Sequence, residues 1–174
     1  MPNHANIADW EIRLDEPGFI NWKASLNELC LFFDGALKGN PGLAGCGGVI
    51  TESNGNVIST YSWGLGTDSN NKAEFCGLLQ RLRIAQTKGI TNIMVFGDSR
   101  LLIQAIIRKN RPSHIHLAQI FQQNRMLSKN FQTIKFYHVL RGLNTLADKA
   151  VNEGTLLGRG ILHMDGVETR CDIP

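Results

Sequence analysis

The stretch LCLFFDGALKGNPGLAGCGGVITESNGNVISTYSW, Leu29 to Trp63, decides the fold. Leu29 to Phe33 is a short apolar run of strand type, with Asp34 at or just after its end. Lys38-Gly39-Asn40-Pro41-Gly42 is dense in turn formers and interrupts the pattern. Cys46 to Thr51 and Val57 to Trp63 read as strands on either side of Asn54-Gly55. That dipeptide suits a tight hairpin, because the favoured two-residue turns need positive φ. Together these pieces predict three consecutive antiparallel strands.

Downstream the period changes. Ala73, Leu78, Leu82 and Ala85 recur at helical spacing between Asn71 and Lys88, and Lys88-Gly89 supplies a stop. Ile93 to Phe96 is a short buried-type strand ending at Gly97-Asp98, and Ser99 caps a helix through Lys109. Pro112-Ser113 opens another helix to about Ser128, Phe131 to Leu140 gives a last strand, and Asn144 to Glu153 a closing helix. Helices inserted between the later strands require parallel crossover connections. The expectation is therefore an α/β fold: a mixed five-stranded sheet, antiparallel first and parallel afterwards, with helices on both faces. Residues 1–28 read as an N-terminal arm or linker, 29–155 as the domain and 156–174 as a C-terminal tail.

The 174 residues suit one domain, and 43% hydrophobic against 19% charged residues is an ordinary globular balance. No apolar run approaches the ~20 residues that span a bilayer. Met1-Pro2-Asn3-His4 does not open a basic-then-apolar leader, so an intracellular protein, in nucleus or cytoplasm, is expected, with no membrane partner. Cys30, Cys46, Cys76 and Cys171 are scattered, without metal-ligand spacing, and reduced thiols are expected. A net charge of +3 is compatible with a polyanionic partner without requiring one.

Four acids stand at places where such a fold builds sites. If the strands ending at Asp34 and Asp98 are parallel neighbours, their ends lie about 5 Å apart, and open sheets with crossover helices bind ligands there. Glu74 is expected in the first turn of the long helix, where the dipole favours a carboxylate, and Asp148 begins the last helix in a similar way. Singly, each has a plain structural reading: Asp34 as a turn residue, Glu74 as a helix N-terminal charge, Asp98 and Asp148 as caps. Converged, they would repel one another unless divalent cations intervened, and all-oxygen acidic ligation suits Mg²⁺ or Mn²⁺.

The local wording around these acids resembles the ribonuclease H family. Phe33-Asp34-Gly35-Ala36 followed by Lys38-Gly39-Asn40-Pro41-Gly42 is similar to the family's FDGA-x-x-GNPG opening, and Asn70-Asn71-Lys72-Ala73-Glu74 to its NN-x-AE helix start. Gly97-Asp98-Ser99 carries its DS signature and Asn144-Thr145-Leu146-Ala147-Asp148 its N-x-x-AD ending. All four occur in family order over about residues 29 to 155, closest in wording to retroelement members found within reverse-transcriptase polyproteins. The resemblance implies an RNase H-like fold and an endoribonuclease that cuts the RNA strand of RNA–DNA hybrids, leaving 5′-phosphate and 3′-hydroxyl ends. Asp34, Glu74, Asp98 and Asp148 would be both catalytic and metal ligands, holding two Mg²⁺ ions about 4 Å apart. Asp34 would bridge the ions, with Glu74 and Asp98 on one and Asp148 on the other.

Substrate contacts are implied for Asn40, Asn70 and Asn71, whose amides can address the 2′-hydroxyl. Each also suits plain turn and cap chemistry. Many family members carry a mobile His before the final Asp. Here His138 lies in Phe136-Tyr137-His138-Val139-Leu140, which reads as strand and makes it a half-buried packing residue. The short loop Arg141-Gly142-Leu143 resembles that of members lacking the His, a resemblance that implies Arg141 at its position. Lys38, Lys72, Arg100, Arg108, Lys109 and Arg111 could meet phosphates. The segment after the second helix lacks the lysine-rich handle of some relatives, which implies weak affinity and reliance on an adjacent reverse-transcriptase domain. The protein is expected to be a monomer. Two other readings stand beside this one: a resolvase or other nuclease on the same carboxylate scaffold, and a catalytically idle nucleic-acid-binding module.

Overall fold

The computed structural model describes residues 9–38 and 42–174, so Asn40 and its neighbours Gly39 and Pro41 lie outside the described residues. Helix α1 (Glu16–Leu26) precedes β1 (Cys30–Lys38), β2 (Leu43–Thr51) and β3 (Val57–Thr67), an antiparallel run. Then follow α2 (Asn70–Thr87), β4 (Asn92–Gly97), α3 (Arg100–Arg108), α4 (Ile115–Ser128) and β5 (Thr133–His138). A 3₁₀ turn (Arg141–Leu143), α5 (Thr145–Gly154), β6 (Ile161–Met164) and β7 (Val167–Arg170) close the chain. The sheet runs β5-β4-β1-β2-β3-β6-β7, with β1 parallel to β4 and β4 parallel to β5.

Strand alternation divides the core into two layers. Leu31 and Phe33 of β1 join Ile50 and Val95 beneath α2, α3 and α4, which contribute Leu78, Leu82, Ile103 and Phe121. Phe32 and its neighbours Val49, Met94 and Phe96 face the other way, against Phe19 of α1 and Ala147 of α5. On that face Phe96 stacks between Phe32 at 5.0 Å and Tyr137 at 5.3 Å, and Phe19 meets Phe96 edge-on at 5.3 Å. The expected helices on both faces are present, and Trp63 is fully buried.

Three features differ from the sequence-based expectation. Helix α1 lies within the segment read as an arm. It buries only Phe19 and Lys23, too few positions to create a visible period, and Asp15 caps it by accepting from the Gly18 amide at 2.9 Å. Second, β1 continues through Asp34 to Lys38, because β2 stays paired with it beyond the point where β4 ends. Third, the sheet has seven strands rather than five, the last two drawn from residues 156–174.

Those two strands are four residues each, too short to show alternation. Their signal is the turn: Asp165 and Gly166 both have positive φ, at 52° and 82°, as an Asp-Gly hairpin requires. The Asp165 carboxylate ties this hairpin down, accepting from the Ser59 hydroxyl and the Thr60 amide at 2.9 Å and pairing with Lys88 at 3.3 Å. The Trp63 indole donates to the Cys171 carbonyl at 3.2 Å. Between α2 and β3, Arg81 is fully buried with its guanidinium 3.8 Å from the centre of the Tyr61 ring. Burial pulls its pKa down to about 10, so it remains charged at neutral pH. Replacing Asp165 with Ala removes the acceptor for these partly buried donors and should destabilise the fold by about 1–3 kcal/mol. Urea unfolding of the two proteins checks this, read as a lower midpoint at unchanged m-value.

Candidate active site

The carboxylates are placed by strand register and by two close helix approaches. Phe33 pairs with Gly97 across the parallel β1–β4 ladder, so the next residues, Asp34 and Asp98, emerge side by side. Gly35 lets α2 rest directly on β1: a Cβ there would lie 2.3 Å from the Ala73 carbonyl carbon and 2.5 Å from the Glu74 amide nitrogen. Gly47, paired with Asp34, does the same for α5, where a Cβ would lie 2.6 Å from the Ala150 carbonyl carbon. As a result one carboxylate oxygen from each of Asp34, Glu74 and Asp98 lies within 4.8 Å of the others. Glu74 is the fifth residue of α2 rather than a first-turn residue, so packing over Gly35, more than the helix dipole, sets its position.

Only 6% of Asp34 and 8% of Glu74 is exposed. Burial, reinforced by the Asp98 charge, pushes Asp34 up to about 7, although the Gly35 amide donates to its Oδ1 at 2.8 Å. Burial and the neighbouring Asp34 push Glu74 up to about 10, and Asp98 is raised chiefly by burial. Glu74 Oε2 is buried without a hydrogen-bond partner.

Asp148 falls outside this trio. It sits in the first turn of α5, 33% exposed, and its Oδ1 accepts from Arg141 at 3.3 Å. It is near enough to raise Asp34 electrostatically. The start of α5 is fixed by Asn144, fully buried, whose amide donates to the Phe33 carbonyl at 3.0 Å, next to Asp34. That anchoring role was not legible in the sequence, where Asn144 is only the first letter of the N-x-x-AD wording.

An open depression of about 460 Å³ is lined by Asp34, Glu74, Asp98, Asn70 and Arg141. Asn71 instead lines a neighbouring cavity with Glu74, Ser99 and Asn110. His138 ends β5 and lines a third cavity, with Arg100 and Glu11. Lys72 is buried and paired with Asp68 at 3.1 Å, which removes it from the phosphate-contact candidates.

Residues 32–154 match the family model described as reverse transcriptase-like. The ribonuclease HI of Halobacterium salinarum is 31% identical over 122 residues, 70% of this chain and 61% of that protein. Its crystal structure superposes with a TM-score of 0.68 at 30% identity, covering 72% of this chain and 96% of that one. The chain belongs to the ribonuclease H family. The bifunctional protein Rv2228c of Mycobacterium tuberculosis is 33% identical over 121 residues, 69% of this chain, and the match spans 33% of that protein's length. The structure of its N-terminal RNase H domain has a TM-score of 0.69 at 30% identity and covers 73% of this chain and 92% of that one. LC11-RNase H1, crystallised with an RNA/DNA hybrid, has a TM-score of 0.68 at 28% identity, covering 74% of this chain and 96% of that one.

The donor set of this ribonuclease H-family site suits a hard divalent cation. Every group in the trio is a carboxylate oxygen, and one of them is buried with no other partner. Without an ion, the raised pKa values make the site unstable toward rising pH. A carboxyl that holds its proton more tightly folded than unfolded contributes full stability below its unfolded pKa, near about 4. That contribution is lost as pH rises toward the folded value, about 7 for Asp34 and about 10 for Glu74. Thermal melts in EDTA should therefore give a lower Tm at about pH 8 than at about pH 5, with Mg²⁺ or Mn²⁺ restoring more at the higher pH. Asp34→Asn should flatten both effects.

Proposed function

We propose that this chain is an endoribonuclease that hydrolyses the RNA strand of RNA–DNA hybrids by two-metal-ion catalysis, leaving 5′-phosphate and 3′-hydroxyl ends. The observation that carries the reading is the convergence of Asp34, Glu74 and Asp98 within 4.8 Å, in an open depression of about 460 Å³. The crystallised RNA/DNA hybrid complex of the related LC11-RNase H1 supports the choice of substrate.

In this reading Asp34, Glu74 and Asp98 hold divalent ions, Mg²⁺ or Mn²⁺, and Asp148 joins them from α5 by exchanging its Arg141 partner. The ions supply charge neutralisation and water activation at the scissile phosphate. The chain's own residues do the rest. Asn70, on the rim of the depression, offers an amide that both donates to and accepts from a 2′-hydroxyl, the group that separates RNA from DNA. Asn71, one residue along and facing the adjoining cavity, reads the neighbouring nucleotide. Asn40 is proposed to contact the same groove. Arg141, its side chain 78% exposed, faces the phosphate when Asp148 releases it. A neighbouring reverse-transcriptase domain would supply affinity that the short α3–α4 connection of this chain does not.

An idle binding module fits less well, because carboxylates buried without an ion only weaken the fold. A substrate panel of hybrid, duplex RNA, single strands and junction DNA tests the reading, with and without Mg²⁺. Metal-dependent cutting confined to the RNA of the hybrid is expected, whereas cleavage of junctions would favour the resolvase reading. Asp34→Asn should lower hybrid cleavage by about 10³-fold or more, since ion-based stabilisation amounts to several kcal/mol. A fully active Asp34→Asn protein would refute the assignment.

A further inference from the structure

At the end of the parallel strands that carries the carboxylates, the N-terminal segment builds a second charged cluster beyond β5. Residues Trp10 to Ile12 lie along the end of β5: the His138 amide donates to the Trp10 carbonyl at 2.8 Å and the Ile12 amide to the His138 carbonyl at 2.9 Å. This docking brings Glu11 over the start of α3. Its two oxygens accept separately, Oε1 from Arg100 Nη2 at 2.7 Å and Oε2 from Arg13 Nη2 at 2.8 Å. Arg100 is further fixed by Gln104, which accepts from Nη1 at 3.3 Å, and by the Trp10 ring, 5.4 Å away.

The exposure is asymmetric. The Glu11 side chain is 10% exposed, whereas Arg13 is 65% and Arg100 52% exposed. The carboxylate is thus turned inward and consumed by its two partners, while both guanidiniums present their remaining donors to solvent. The other acid lining this cavity, Asp15, caps α1 through the Gly18 amide. Hydrogen bonds from Arg100, then Arg13, hold the Glu11 carboxyl below its ordinary pKa.

The cluster's position matters as much as its charge. Phe33, Gly97 and His138 are aligned across β1, β4 and β5. Glu11 pairs with His138 on the outer side of β5, so the backbone that carries the clamp lies three strand spacings, roughly 14 Å, from β1 at the same end of the parallel strands. We propose that Arg13 and Arg100, held side by side by Glu11, form a phosphate subsite that grips the nucleic-acid backbone flanking the cleavage point. Two forks held at fixed separation by one carboxylate lose little freedom on binding a phosphate, which is the advantage of arginine over lysine there. The inference rests on the nuclease reading above, and it assigns to the N-terminal segment, outside the family-matched residues 32–154, a part in substrate binding.

The test is equilibrium binding of a fluorescent RNA–DNA hybrid to the full chain in EDTA, followed by anisotropy across a KCl series. Arg13→Ala should weaken binding about three- to tenfold and reduce the salt slope by about 0.7–0.9, the signature of one lost phosphate contact. Arg13→Lys should recover the slope but only part of the affinity. Arg170→Ala, an exposed arginine on β7 at the opposite edge of the sheet, serves as the charge control and should leave both nearly unchanged. Hybrid cleavage by Arg13→Ala should show a raised KM at similar kcat. An Arg13→Ala protein with wild-type affinity and slope, or an Arg170→Ala protein equally impaired, would overturn the subsite while leaving the nuclease reading intact. A wild-type chain that neither binds the hybrid nor cuts it with Mg²⁺ present removes both.

Discussion

Helix α2 lies so close over β1 that no side chain fits at Gly35, and the site follows from that contact. The approach carries Glu74 down beside Asp34, where both are more than nine-tenths buried and one Glu74 oxygen has no protein partner. Three carboxylates in one desolvated corner are an unfavourable arrangement for any protein that does not bind a cation there. The surrounding core is extensive enough to hold them: Leu31 and Phe33 on one side of β1 and the Phe32–Phe96–Tyr137 stack on the other fix the strand to which Asp34 belongs.

The same strand governs the access of α5. Gly47 admits the Ala150 turn of that helix, and Asn144 bonds its start to the Phe33 carbonyl. Asp148 is therefore left outside the inner trio, and its Arg141 partner, which lines the depression, is mostly exposed. Two buried carboxylates, a half-buried third and a more exposed fourth outside them form a graded site. The inner carboxylates are placed by packing, and the outer one is paired with an arginine.

The segments flanking the family-matched residues are not ornamental. At one edge of the sheet Trp10 to Ile12 dock on β5 and bring a carboxylate between two arginines. At the other, the β6–β7 hairpin is pinned by Asp165 and ends in a tail whose Cys171 carbonyl accepts the Trp63 indole. Both additions pair with existing strands, which is the inexpensive way to extend a sheet, since each supplies the ladder bonds an edge would otherwise leave to solvent.

The sequence by itself determined the α/β class and the order of the main elements, because these are local matters, and the family-like wording marked Asp34, Glu74 and Asp98, which the fold brings together. Hairpin chemistry at Asn54-Gly55, helical spacing from Ala73 to Ala85 and the Ser99 cap act within a few residues. Tertiary structure alone decided the rest. Four-residue strands β6 and β7 and the sparsely anchored α1 carry too few buried positions to produce a period, and they form because a preexisting sheet offers them partners. The convergence of Asp34, Glu74 and Asp98, the anchoring by Asn144 and the pairing of Glu11 with Arg100 bring together residues far apart in the chain. Such contacts depend on how helices settle against strands in three dimensions, a consequence of packing that no local pattern encodes.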